Sequence, residues 1–263
     1  MKRAAALALI ALVAATGCRS ALRDAPTLQA MIERHGGSVA GDADSLRSEA
    51  RRSFAEGTID GVEAAVGRWL SLAAIERDAA EPLAEASRGQ VWLSDRIEAE
   101  EARRTWATAA VQSAQLCQAR DPEEALCEYR LAVALGAQAR ERRSTGLDAL
   151  PTMVELLERA VEAIPSVDEA GPERVLALVY LRAPGWPTGP GDPELGLDYA
   201  ERAVARAPDH PANQLALGEA WQALDEPESA AEAFRRALEL AETSRHPDRS
   251  RWIATASGAL AGR

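Results

Sequence analysis

Lysine is all but missing from this chain: of 263 residues only Lys2 is a lysine, and every other member of the 30 basic residues is an arginine. A GC-rich genome accounts for the bias, but the chemical consequence stands. Schiff-base lysines, phosphate-loop lysines and lysine general bases are excluded once the first residues are removed. Aromatic residues are scarce as well, at 4 %, and strands favour aromatic and β-branched side chains. Histidine occurs only as His35, His210 and His246, and cysteine only as Cys18, Cys117 and Cys127. No histidine stands at metal-ligand spacing from another histidine or a cysteine, so neither a metal nor a cofactor is implied. No serine nucleophile elbow occurs, and the abundant glutamates follow helix faces as solvated charge. The residues therefore point away from an enzyme. With 41 acidic against 30 basic residues the net charge is −11, which argues against a nucleic-acid surface, because such a surface needs a basic stripe to displace counterions.

What remains is alanine, leucine, glutamate and arginine. A chain that is 47 % hydrophobic and 27 % charged lies in the range of folded soluble proteins. Alanine is the best helix former, so the expectation is an all-α fold.

The first stretch, "MKRAAALALIALVAATGCRS", sets two cations before an apolar run from Ala4 to Ala15 that is too short for a membrane span. It reads as a secretory signal over residues 1–17. Ala15-Thr16-Gly17-Cys18 resembles a bacterial lipobox, departing from the usual pattern in having alanine where leucine is common. The resemblance implies cleavage before Cys18 and acylation there; the alternative is an ordinary signal peptide with an incidental cysteine. Arg19, in place of an inner-membrane retention aspartate, implies the outer membrane, facing the periplasm. Residues 18–42, with "HGGSVAGDAD", read as a tether.

A repeat governs the C-terminal half. "PANQLALGEAWQALDEPESAAEAFRRALELAE" puts Leu217, Gly218, Trp221, Ala230, Phe234 and Ala237 at the offsets of a tetratricopeptide repeat, and the chain resembles that family here. Gly196, Ala200, Ala203 and Pro208 fit the second helix of the preceding repeat. Ala160 and Pro165, then Ala110, Ala114, Cys117 and Pro122, continue the register backwards. Small residues let paired helices approach, and the proline stops each second helix. The resemblance implies a right-handed superhelical array of antiparallel helix hairpins, about four repeats plus a capping helix. Residues 43–122 read as degenerate repeats, 123–249 as repeats with two insertions inside hairpins, and 250–263 as a capping helix whose Trp252 and Ile253 cover the last hairpin. The insertions fall at "RERRSTGLD" and at Tyr180 to Glu194, and are expected to project from one rim.

Cys117 and Cys127 lie five residues either side of Pro122, so their sulfurs should face each other across a helical turn. A disulfide and a pair of buried free thiols both fit. The family resemblance implies a concave face lined by first helices, and the register puts Glu128, Glu219 and Gln222 near it, with Tyr180 and Arg182 beside the second insertion. Each is either a partner contact or ordinary helix surface. The stretch "YLRAPGWPTGPGDPE" lacks the lysine and hydroxyl of a phosphate loop. It reads as a rigid connector in which Asp192 caps the next helix, with Trp186 tucked against the array or offered to a partner.

The function expected is a lipid-anchored periplasmic scaffold for other envelope proteins. The alternative resembles the T-component lipoproteins of TRAP transporters, for which a buried apolar pore would count. The sequence names neither partner nor oligomeric state.

Overall fold

The computed structural model describes residues 27–34 and 41–262; Cys18 and His35 lie outside the described residues, as do the leader and most of the tether. Twelve α-helices and no strand occur among the described residues. They are α1 (Leu28–Arg34), α2 (Ala43–Ala55), α3 (Ile59–Ile75), α4 (Glu81–Ser94), α5 (Glu100–Arg120), α6 (Ala125–Glu141), α7 (Arg143–Ala163), α8 (Gly171–Arg182), α9 (Pro193–Arg206), α10 (Pro211–Ala223), α11 (Pro227–Thr243) and α12 (Arg249–Ala261). Each helix from α2 onward packs on the next, giving five hairpins, α2–α3 through α10–α11, closed by α12. This is a tetratricopeptide-repeat-like α-solenoid.

Local sequence explains where the helices begin and end. Asp42 and Thr58 accept the backbone N–H of Ser45 and Gly61 at 2.9 and 3.1 Å, satisfying donors that no helical carbonyl can reach. Pro82, Pro172, Pro193, Pro211 and Pro227 occupy first turns, where a missing N–H costs nothing. Pro122, Pro165 and Pro208 follow the ends of α5, α7 and α9, as the repeat register requires.

Packing follows the small residues. Ala110, Ala114, Ala160, Ala200, Ala203, Ala230 and Ala237 have no exposed surface. At Gly218 a methyl group would stand 2.7 Å from the Phe234 ring, so α10 and α11 approach as closely as they do only because a side chain is absent there. Larger apolar groups fill the gaps between hairpins: Trp69, Leu70, Leu83 and Leu93 in the N-terminal core, Leu135, Leu157 and Leu176 in the middle. Cys117 and Cys127 are buried in the first of these cores and bonded to each other, with Cα atoms 5.4 Å apart.

Three parts differ from the sequence reading. The tether contributes α1, whose Met31 and Ile32 are buried against the N-terminal core; "LQAMIER" is a short amphipathic turn that gains order from that contact. Residues 43–122 form two complete hairpins. Their helices pack through tryptophan and leucine as well as through alanine and glycine, and the large side chains hide the repeat. The surplus at "RERRSTGLD" does not project as a loop: α6 and α7 absorb it as 17 and 21 helical residues, parted only at Arg142. No described helix is long and apolar enough to cross a membrane.

Two substitutions separate close approach from mere composition. Gly218→Val is expected to lower stability by about 1–3 kcal/mol through overpacking against Phe234. Gly258→Ala, at a site with nothing within 4 Å, is expected to raise it by up to about 1 kcal/mol. Denaturant unfolding of the two variants reads both.

Candidate functional site

The concave side is oriented by the turn between α7 and α8. Asp168, Glu169 and Ala170 all have positive φ, at 48°, 51° and 63°, a region where each non-glycine residue is strained. Side chains from other helices hold it there. Arg130, 4 % exposed, pairs with Asp168 and lies 3.6 Å from Glu85. Arg174 donates to the carbonyls of Asp168 and Glu169 at 3.0 Å and to Asn213 Oδ1 at 2.7 Å. Asn213 Nδ2 donates to the carbonyls of Glu169, Ala203 and Ala207. Burial alone would raise the Asp168 pKa. The charge and hydrogen bond of Arg130, with Arg88 and Arg174 behind, reverse that and hold the carboxyl well below the usual range.

Two adjoining cavities open on this side. A chamber of about 390 Å³ is walled by Phe54, Arg88, Trp92, Arg96, Asp168, Arg174, His210, His246, Asp248 and Trp252. A groove of about 640 Å³ runs along α8, α10 and α12, with half-buried Leu178, Leu181 and Leu215 as floor and Arg140, Arg182, Glu219, Gln222 and Arg251 at its edges. Arg174, Ala212, Asp248, Arg251 and Trp252 line both. The carboxylates here already have guanidinium partners. Glu219 accepts from Arg182 at 2.6 and 2.7 Å, Asp248 pairs with Arg96, and Asp95 pairs with Arg140 and Arg251. The edges can therefore meet a partner without repelling an acidic chain, and the floor offers apolar area to cover.

Arg182, Glu219 and Gln222 thus stand together in the groove. Glu128 does not join them: Arg159 holds both of its oxygens at 3.0 Å across the α6–α7 hairpin. Tyr180 is 7 % exposed and stacked on Tyr199 at 5.7 Å, and burial, followed by Glu158, pushes its hydroxyl up to about 12. Tyr180 is held inside the array, and Glu128 is engaged at its surface by Arg159. Trp186 is 90 % exposed, away from the groove lining, on a loop tied down by Gly191 N–H to Pro184 O at 2.8 Å and Asp192 N–H to Tyr180 O at 2.9 Å. Asp192 caps α9 through Glu194 and Leu195. The connector is bonded back to α8 and capped onto α9, and its tryptophan is not tucked away.

The chamber residues escaped sequence reasoning. His210 and His246, far apart in the chain, have ring centres 6.2 Å apart around Trp252. No metal-ligand spacing announced that, since the pairing depends on how α10, α11 and α12 pack together.

The architecture is similar to that of a thermophilic TPR protein of Thermus thermophilus, with a TM-score of 0.64 and 20 % identity over 84 % of this chain and 100 % of that one. The fold is that of tetratricopeptide-repeat proteins. MamA, residues 41 to the end, from Desulfovibrio magneticus RS-1 is also similar, with a TM-score of 0.50 and 21 % identity over 79 % and 99 % of the respective chains. No family model matches the sequence, and no curated protein matches it.

If the α7–α8 turn orients the TPR-like array, its charge pair with the buried Arg130 should be costly to break. Asp168→Ala leaves Arg130 buried without its closest counter-charge and is expected to remove about 3–5 kcal/mol in denaturant unfolding. Because the Asp168 carboxyl titrates below its unfolded value, its contribution is present above about pH 4 and is lost as pH falls through that range.

Proposed function

We propose that this protein is a lipid-anchored, non-enzymatic adaptor of the bacterial cell envelope that holds a segment of a partner protein in the groove formed by α8, α10 and α12. The groove carries the reading: it joins an apolar floor to charged edges whose carboxylates are already paired, on the concave side of a TPR-like array. Arg182, Glu219 and Gln222 are the assigned contacts, and Trp186 is a second exposed contact outside the groove. The lipobox-like "ATGC" supports the anchor at Cys18, because two or more acyl chains hold a protein stably where one alone is marginal. Arg19 supports the outer membrane. Placement in the periplasm suits the Cys117–Cys127 bridge, since disulfides persist in oxidising compartments. Closing a loop of this size is worth about 3 kcal/mol.

The transporter-associated alternative asks for an apolar pore. The chamber instead carries Arg88, Arg96, Arg174, Asp168 and Asp248 on its walls, so that reading gains no support.

Cys18→Ser is expected to move the protein from the membrane to the soluble fraction of lysed cells, and unchanged membrane retention would remove the anchor from the account. In the same preparations, peptide mapping without reductant should recover Cys117 and Cys127 as one linked pair; two free thiols would contradict the compartment assigned.

A further inference from the structure

The turn that joins α11 to α12, "SRHPD" at residues 244–248, reaches across the concave side to helices about 150 residues earlier in the chain. Asp248 Oδ1 accepts the indole N–H of Trp92 at 3.0 Å and also pairs with Arg96. Arg251, at the start of α12, bonds Asp95 at 2.5 Å. Pro247 seats against Gly57, where a methyl group would lie 3.2 Å from its Cβ. Gly57 adopts φ 66°, which glycine reaches without strain. None of these contacts joins neighbouring hairpins. They join one end of the array to the other and take no part in the packing of adjacent hairpins.

One imidazole, His246, belongs to the turn, and a second, His210, lies beside it. His246 lies on the Trp252 ring at 4.7 Å and 20°, and His210 meets the edge of the same ring at 5.1 Å. The backbone N–H of Asp248 donates to His246 Nδ1 at 3.1 Å, so that nitrogen carries no proton in the closed turn. Facing the pair are Asp248 on the same turn, Asp168 and Glu169 from the α7–α8 turn, Arg174 from α8 and Arg88 from α4. Burial, then Arg174 and the other imidazole, holds His210 down to about 3. Burial lowers His246 too, against the opposing pull of Asp248 and Glu169.

We infer that the α11–α12 turn is a clasp that sets the width of the partner groove, and that protonation of His210 and His246 releases it. The link to partner binding rests on the groove reading above, because Asp248, Arg251 and Trp252 belong both to the clasp and to the groove wall. The direction follows from linkage. Closed, burial disfavours the charged imidazoles; opening withdraws Trp92, Arg96 and Gly57 from the turn, admits water beside the imidazoles, and so favours proton uptake as pH falls.

Spin labels at Glu56→Cys and Arg245→Cys in the full chain report the gap, with the chain lacking these two cysteines as background. A short distance is expected at pH 7.5, with a longer population growing in at pH 5. His210→Gln/His246→Gln should keep the short distance at both values, and Asp248→Ala should show the longer one at both, with helix content by circular dichroism unchanged throughout. Identical distributions at the two pH values, opening of the double histidine variant at pH 5, a short distance in Asp248→Ala, or loss of helix on opening would each overturn the clasp. No partner is present in this measurement, so its failure leaves the groove reading untouched, and loss of the groove reading leaves the distances as stated.

Discussion

The pairing of buried Arg130 with Asp168 fixes a left-handed turn that no local preference would choose, and the concave face depends on it. Three successive non-glycine residues at positive φ cost on the order of 1–3 kcal/mol each, so the turn persists only because its surroundings determine it. Arg130 takes the Asp168 carboxylate, while Arg174 and Asn213 take the carbonyls that the turn exposes. The consequence is geometric. Helix α8 leaves the turn on a course that puts Arg174, Leu178, Leu181 and Arg182 along one wall of the groove, and chamber and groove meet at Arg174.

Two kinds of contact then divide the work. Within and between hairpins, alanine and glycine let backbones approach, so stability accumulates from many small apolar burials. Across the concave side a few polar contacts, Trp92 and Arg96 to Asp248 and Arg251 to Asp95, join distant parts of the chain. Partly exposed ion pairs of that kind contribute little each. An array held together by burial and closed by polar contacts can change its opening without losing its helices, which is what a protein that admits a partner segment needs.

How far the fold was legible depended on which residues do the packing. The repeat could be read in α10–α11, and backwards through α9 and α7, because Gly218, Ala230, Phe234 and Ala203 sit at contacts where only certain sizes fit. It reached α5 through Ala110, Ala114 and Cys117 and faded in α2–α4, where Trp69, Leu70, Leu83 and Trp92 fill the gaps and different large side chains can do so equally well. The site was legible only in part. Arg182, Glu219 and Gln222 share the groove because the register places first-helix residues on one side. Glu128 and Tyr180 were drawn into internal contacts with Arg159 and Tyr199 that no single-helix pattern encodes. "SRHPD" carries no motif of its own, and its partners, Gly57, Trp92 and Arg96, stand too far away in sequence for any local pattern to connect them.

A photo-crosslinking amino acid placed at Gln222 in the groove, and in a second chain at Arg235 on α11 outside the groove lining, tests the central claim most directly when irradiated in intact cells. A discrete protein adduct from position 222 and none from position 235 is the expected result. Adducts from 235 with none from 222 would contradict a partner-binding groove on α8, α10 and α12.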